Sequence, residues 1–266
     1  MPTATDPARE LADVCTRLGQ ESRSQGSTFL ASQFGVQEWS TEFFQIIFMF
    51  SKRADDLIRI LDDLEIDDDY RAEFAGHIGS IQQAFTPNGL NNQWTHAVAH
   101  YVNPANVNSV KALSGLVRPL YSYPKLSSEE QTDIIASVDE LLTWLRGHQV
   151  AERDFIRQAI IDGLEQFRFR VERVGWLGWG YTLESLREVI GAYLALERGT
   201  TDMQSAPDAD AVLRKTAAWV KGVFSKVSTV RETAGDVAFM ILAYEQVIKV
   251  AQGKAPLAGL LTFSGI

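Results

Sequence analysis

The sequence is poor in cysteine, in positive charge and in long apolar runs. Its 266 residues include one cysteine, Cys15, which excludes an internal disulfide and makes a reducing cytoplasm the expected location. The 25 basic residues against 34 acids give a net charge of −9, which makes nucleic acid unlikely as a broad-surface ligand. The longest apolar runs, at 43–50 and 237–244, are shorter than the roughly 18 residues that span a bilayer. We therefore predict no membrane span.

Recognisable catalytic motifs are missing as well. The sequence contains no G-x-S-x-G elbow, no Walker loop, no dinucleotide-binding fingerprint and no kinase signature. The amino terminus also lacks the basic start and the apolar stretch that are typical of a signal peptide. These absences favour a cytoplasmic protein that works by binding rather than by catalysis.

Helical periodicity is what the sequence has in abundance. Apolar residues recur three and four positions apart, whereas no run of alternating β-branched residues is bounded by hairpin turns. We predict an all-α fold, a multi-helix bundle of about eight to ten helices with no significant sheet. We expect one helical domain over 1–266, with 1–125 and 126–266 as its alternative helical halves and 200–208 as a flexible linker.

Residues 19–28 are predicted to form a polar linker. The strongest predicted helix follows it, begins at Ser40 and has a heptad spacing of apolar residues. Such a seam buries against neighbouring helices, either within a bundle or between subunits. The following helix has an inner face of the same kind. The two sets of predicted core residues are Phe43, Ile47, Phe50, Ala54, Leu57, Leu61 and Leu64 in the first helix, and Tyr70, Phe74, Ile78, Ile81 and Phe85 in the second.

Helix-capping signals place several other boundaries. Asp6 precedes Pro7 at a predicted helix start. A capping box is predicted for the helix after position 126, formed by Ser127 with Glu130 or by Ser128 with Gln131. We expect Thr182 to cap one helix and Gly199 to end it. The last predicted helix covers about 230–252 and is followed by an apolar tail, 255–266, which we expect to dock on its own domain or to insert into a partner.

Acidic residues are concentrated between positions 55 and 73. This segment has nine acids against Arg59 and Arg71, a local net charge of −7. A solvated helix face explains such a cluster, and a docking surface for a basic partner is the alternative. Asp62 and Asp63 are the candidate partner-binding residues of this segment.

Two histidines four positions apart suggest a metal site. His96 and His100 in the stretch THAVAH project from one side of a helix, opposite Trp94 and Val98. An exposed polar face is the alternative, because no third ligand is evident. The sequence favours no particular cofactor. If this pair of histidines binds one, we expect a divalent metal ion.

A second candidate site is the spacing of Arg71 and His77. Five residues separate them, which resembles the Arg-x(4–6)-His signature of HEPN-type ribonucleases, a family that is also all-α. The resemblance implies metal-independent RNA cleavage, in which the arginine neutralises a phosphate and the histidine assists proton transfer. The alternative is that His77 borders the core and that Arg71 is a solvated residue of the first helical turn.

Aromatic residues and glycines are mixed in the segment RVGWLGWGYT, residues 173–182. We interpret it as an aromatic corner, in which Trp176 and Trp179 fill the space between the preceding and the following helix. The alternative is a platform for a ligand or partner that includes Trp176, Trp179 and Tyr181.

These observations lead to two functional hypotheses. The first is a cytoplasmic protein-interaction or regulatory protein that binds another protein, or itself as a homo-oligomer, through apolar helix seams. The second is a hydrolase for phosphate-bearing substrates, either metal-assisted through His96 and His100 or ribonuclease-like through Arg71 and His77.

Overall fold

A computed structural model describes residues 4–150, 154–199 and 207–227. The predicted helix at 230–252, the apolar tail at 255–266 and most of the predicted linker, 200–206, lie outside the described residues. The described chain divides into two compact units. Unit 1 consists of residues 4–123 together with 174–181, and unit 2 consists of 124–173 and the described residues from 182 onwards.

Helices make up nearly all of the regular structure. In chain order they are α1 (Pro7–Leu18), α2 (Gly26–Phe34), α3 (Thr41–Asp62), α4 (Asp68–Gln83), α5 (Pro87–Asn91), α6 (Trp94–His100), α7 (Pro104–Val117), α8 (Ser128–Arg146), α9 (Asp154–Glu172), α10 (Val174–Leu177), α11 (Trp179–Glu184), α12 (Leu186–Gly199) and α13 (Pro207–Val227). Two strands of two residues each, β1 (Ala4–Thr5) and β2 (Tyr123–Pro124), pair with each other. The predicted all-α fold class is confirmed, and the predicted number of eight to ten helices is roughly right for the described residues, which also form several helices of only one or two turns.

The core of unit 1 is arranged around α3, which packs against α1, α4 and α10. The Ser40 hydroxyl accepts a hydrogen bond from Phe43 N at 3.2 Å, which satisfies one of the free amides at the start of the helix. Every residue of the predicted heptad seam is buried. Because helices of the same chain cover this seam, it is not the surface that unit 1 offers to a partner.

Two predictions for unit 1 were wrong. Tyr70 is exposed, although it was placed on the inner face of α4 with Ile78 and Ile81, which are buried. The neighbouring Arg71 faces the end of α3 instead, and Tyr70 therefore points away from it. The start of α2 was also predicted as part of a polar linker. Its first residues, from Gly26 to Thr28, are small or polar, and its N-cap, Gln25, makes no side-chain cap.

Unit 2 has a core between α8, α9, α12 and α13. The predicted capping box is confirmed, because Ser127 N donates to Glu130 Oε2 at 2.8 Å and Glu130 N donates to Ser127 Oγ at 3.2 Å. Helices α9 and α12 approach closely at Gly163, where a Cβ atom would lie 2.9 Å from Val189 Cγ2. The small residue therefore sets the distance between these two helices.

Some predicted boundaries in unit 2 were also wrong. Thr182 does not cap a helix, because it lies inside α11, and α12 begins at Leu186. Pro207 and Asp208, which were placed in the linker, are the first residues of α13. No helix within the described ranges is long and apolar enough to cross a membrane.

Candidate functional site

Residues 174–181, which we call the strap, pack on α1, α2 and α3 in unit 1. The ring of Trp176 meets Phe34 edge to face, with centroids 5.3 Å apart, and the Arg17 guanidinium lies 4.2 Å from the centroid of the Trp176 ring. Trp179 is almost completely buried. The predicted corner between two successive helices was therefore wrong, since both tryptophans contact helices more than 120 positions away in the sequence.

Polar contacts hold the strap backbone at two points. Arg53, which is buried on α3, donates from Nη1 to Trp176 O at 2.5 Å. The Glu10 carboxylate of α1 accepts a hydrogen bond from Trp179 N at 2.9 Å. Because backbone groups at a chain reversal have no helical partners, these two side chains replace the hydrogen bonds that water would otherwise supply.

The charges around the strap are perturbed by burial. Burial raises the pKa of the Glu10 carboxyl above its usual value, and the nearby charge of Arg53 partly offsets the rise. Burial lowers the pKa of the Arg53 guanidinium, and the Glu10 charge opposes that change. Burial also raises the pKa of the Cys15 thiol to about 12, so Cys15 is an unreactive core residue.

Gly178 makes the close approach of the strap possible. Its φ of 86° lies in the left-handed region that favours glycine, and a Cβ atom at this position would collide with the Glu10 carboxylate. The same Cβ would lie 3.1 Å from Arg53 Nη2. Packing and backbone conformation therefore explain the glycine at position 178.

A different surface of unit 1 exposes a group of large aromatic side chains. Trp39, Phe44 and Phe48 are 46%, 52% and 65% exposed. The rings of Trp39 and Phe44 have centroids 5.8 Å apart, and Phe48 follows Phe44 by one helical turn on α3. Single exposed apolar residues are common on protein surfaces, but a contiguous group is typical of an interaction site.

Trp39 has an unfavourable backbone conformation. Its φ of 59° is the single positive value among the described residues other than glycine. The left-handed region costs a bulky residue about 1 kcal/mol or more, and although the Trp39 ring meets buried Phe43 edge to face at 5.6 Å, 46% of the residue stays exposed. Such an outlier on a surface is an argument for a role of the ring outside the folded core.

The same face of α3 continues as an acidic surface. Phe44, Phe48, Asp55 and Asp62 are separated by four, seven and seven positions, so they lie along one side of the helix. Both aspartates are exposed, as are most of the nine acids between positions 55 and 73. Asp55 accepts a hydrogen bond from Gln82 Nε2 at 2.8 Å, and Asp63 accepts one from Tyr121 Oη at 2.6 Å. We call the set Phe44, Phe48, Ser51, Asp55, Arg59 and Asp62 the exposed stripe.

The two pairs of candidate catalytic or metal-binding residues have different surroundings. His96 and His100 lie side by side at the surface of α6, with ring centroids 4.5 Å apart. Arg71 is engaged with the end of α3, donating to Leu61 O at 3.2 Å and to two further carbonyl groups. His77 contacts Asn106 of α7 through Nδ1 at 2.8 Å. The contacts of Arg71 and His77 are thus to different helices, and their ribonuclease role stays a prediction.

The remaining predicted partner-binding residues are divided between core and surface. Trp179 is buried, Trp176 is half-buried under Arg17, and the Tyr181 ring lies 4.9 Å from Lys52 Nζ. Asp62 and Asp63 are exposed. Trp39, Phe44 and Phe48 were not predicted as partner-binding residues. Phe44 and Phe48 lie outside the heptad seam, on the side that the pattern predicts to be solvated.

Within the part of the chain that the structure describes, no three or more histidine, cysteine or acidic side chains are grouped as ligands for one metal ion. Comparison with known proteins gives no match to a family model, to a curated protein or to a solved structure.

Proposed function

We propose that this protein acts in the cytoplasm as a protein-interaction module, and that unit 1 binds a basic, amphipathic segment of another protein on the exposed stripe of α3. The observation that carries the proposal is the exposure of Phe44 and Phe48 beside the strained Trp39. Aromatic side chains on one helix face are the usual anchors of protein interfaces, because each ring removes a large apolar area from water.

The charge of the stripe selects the partner. The aromatic half, Phe44 and Phe48, is followed on the same side of the helix by Asp55 and Asp62. Arg59 lies between the two aspartates and pairs with Asp56. The stripe extends for about 27 Å at 1.5 Å per residue, which matches an amphipathic helix of about 18 residues. A partner with apolar residues at one end and lysine or arginine at the other would complement both halves.

A second copy of the chain is a poorer occupant of this surface. If two stripes met antiparallel through their aromatic halves, the acidic half of each would face Glu38 and Glu42 of the other. The net charge of −9 adds to this repulsion. Nucleic acid is disfavoured for the same reason, because its phosphates would face the acidic half.

The test uses three fluorescein-labelled peptides of about 18 residues, matched to the length of the stripe. One is an amphipathic helix of leucine and lysine, the second replaces each lysine by glutamate, and the third replaces each leucine by serine. Fluorescence anisotropy should show that the leucine–lysine peptide binds at least ten times more tightly than either of the others.

Variants locate the binding surface. Phe44→Ser/Phe48→Ser should weaken peptide binding at least tenfold, which corresponds to a loss of about 1.4 kcal/mol or more in binding free energy. Asp55→Asn/Asp62→Asn should weaken binding and reduce its dependence on salt. The control is Phe155→Ser. Phe155 is 71% exposed but lies in unit 2 and not on the exposed stripe, so this substitution should leave peptide binding unchanged.

Two results would contradict the proposal. Equal binding of the leucine–lysine peptide by the wild type and by Phe44→Ser/Phe48→Ser would exclude the stripe as its site. Light scattering that finds a dimer of the wild type and a monomer of Phe44→Ser/Phe48→Ser would replace the basic partner by a second copy of the chain.

A further inference from the structure

In two of the four histidines, neither imidazole nitrogen makes a hydrogen bond to a described residue. His77 contacts Asn106 through Nδ1, and His148 contacts Trp144 O through Nδ1 at 2.7 Å. In contrast, no ring nitrogen of His96 or His100 makes a hydrogen bond to the residues that the structure describes. These two rings are also the two that lie next to each other.

The spacing of these rings suits a chelate. A nitrogen of an imidazole lies about 1.2 Å from the ring centroid, and a metal ion lies about 2.1 Å from that nitrogen. Two rings bound to one ion at a right angle therefore have centroids about 4.6 Å apart, and at a tetrahedral angle about 5.3 Å apart. The observed separation of His96 and His100 is 4.5 Å, with an angle of 52° between the ring planes.

The backbone that carries the pair is fixed from the inside of the protein. Trp94 and Ala97 on the opposite side of α6 are buried, and Trp94 Nε1 donates to Leu18 O at 2.9 Å. At the end of the helix, buried Asn106 donates from Nδ2 to Tyr101 O at 2.9 Å. A chelate on this turn therefore requires ring rotations but no movement of the helix.

We propose that His96 and His100 form a surface site for a divalent late transition metal, with Cu²⁺ preferred over Ni²⁺ and Zn²⁺. Imidazole is a good ligand for all three ions, and Cu²⁺ binds nitrogen ligands most tightly in the divalent series. Water molecules complete the coordination. Mg²⁺ and Ca²⁺, which prefer oxygen ligands, do not bind there.

The site is independent of the proposed peptide-binding function. Its consequence for the protein is local: an ion that joins His96 to His100 spans one turn of α6, a helix of seven residues. A helix this short is unstable alone and depends on contacts at its ends. Metal that binds the folded chain but not the unfolded chain raises the melting temperature.

The experiment is a calorimetric titration of the untagged full-length chain with Cu²⁺, Ni²⁺, Zn²⁺ and Mg²⁺ in a buffer that does not bind metals. We expect one Cu²⁺ per chain, weaker binding of Ni²⁺ and Zn²⁺, and none of Mg²⁺. His96→Ala and His100→Ala should each lower the Cu²⁺ affinity at least tenfold. His148→Ala is the matched control and should leave the Cu²⁺ affinity unchanged.

A relocated histidine separates geometry from histidine content. The variant His96→Ala/Ala99→His keeps four histidines but places two of them on adjacent positions of α6, where the side chains point in different directions. It should bind Cu²⁺ as weakly as His96→Ala does. Cu²⁺ binding that is absent in the wild type, or that persists unchanged in His96→Ala and His100→Ala, would overturn the site.

Discussion

Among the residues that the structure describes, each unit has one buried arginine, and the two arginines behave in opposite ways. Arg53 in unit 1 and Arg157 in unit 2 are 7% and 6% exposed. Burial lowers the pKa of Arg53, whereas the hydrogen bonds of Asp154 raise the pKa of Arg157. The accessible fractions are alike, but Arg53 lies deep in unit 1, where desolvation has the largest effect on its pKa, whereas Arg157 lies near the surface, where the hydrogen bonds of Asp154 have the largest effect.

The partner of Arg157 lies near the surface, whereas the partner of Arg53 lies deep enough for burial to raise its pKa. Asp154 binds Arg157 Nε at 2.5 Å and Nη2 at 2.9 Å, while its own side chain is 41% exposed. Glu10 lies in the strap region, where burial raises its pKa, and Arg53 Nη2 has no hydrogen-bond partner among the described residues. A buried charge is thus inexpensive when its partner stays hydrated and costly when both are removed from water.

Removal of the Arg53 charge should have the largest effect on stability. Arg53→Met keeps a side chain of similar length but removes the bond to Trp176 O and leaves Glu10 without its nearby positive charge. We expect a loss of about 3 kcal/mol in the free energy of unfolding. Urea unfolding followed by tryptophan fluorescence measures it. A loss below that of Arg157→Met would contradict the comparison.

A side chain at Gly178 should have the next largest effect. Gly178→Ala introduces a Cβ that collides with Glu10 and also strains the backbone, so we expect a loss of about 2 to 3 kcal/mol. Gly35→Ala is the matched control, because Gly35 has a φ of 67° but open space around it. The difference between the two variants in thermal unfolding measures the collision alone, and equal losses would show that the strap moves aside freely.

Removal of the Arg157 charge should be milder. Arg157→Met breaks a bidentate pair and the hydrogen bond to Leu145 O, but it leaves Asp154 partly in water. We expect a loss of about 1 to 2 kcal/mol in urea unfolding. A loss as large as that of Arg53→Met would mean that the exposure of the carboxylate does not matter.

The smallest effect is a pH dependence with opposite signs in the two units. Glu10 has a raised pKa, so the folded chain holds its proton more tightly, and stability falls as the pH rises above the usual glutamate range. Asp154 has a lowered pKa, so its contribution to stability is complete above the usual aspartate pKa. This contribution is lost as the pH falls from that value through the lowered pKa of the folded chain.

Isosteric amides reveal these two signs. Relative to Glu10→Gln, the wild type should become less stable between mildly acidic and neutral pH. Relative to Asp154→Asn, the wild type should become less stable as the solution is made acidic. Denaturant unfolding across this pH range measures both differences, and slopes of the same sign would refute the assignment of the two environments.

Local sequence was sufficient to predict the helices but not their partners. The seam of α3 was predicted in full because a heptad repeat specifies which side of a helix is buried. The strap was predicted to be aromatic and buried, but its position was wrong, because nothing in residues 174–181 indicates that they contact α1 and α3. Arg53 follows buried Phe50 by three positions, so its place on the apolar side was visible in the sequence, whereas its contact with Trp176 was not.

The exposed stripe shows the same limit from the other side. The acidic residues of 55–73 were identified from composition alone, and their exposure agrees with a solvated surface. Trp39, Phe44 and Phe48 were missed because a heptad pattern identifies the buried seam but does not show whether another helix covers an aromatic residue outside that seam. Only the positions of the neighbouring helices determine that these rings remain uncovered.

The strap also determines the order in which the protein can be completed during synthesis. Unit 1 takes most of its residues from 4–123, but its last piece, 174–181, is made only after the 50 residues of 124–173. At 5 to 20 residues per second, the ribosome needs about 3 to 10 s to cover that interval. Glu10 and Arg53 stay hydrated for this time, and the core of unit 1 closes around them only when Trp179 has emerged.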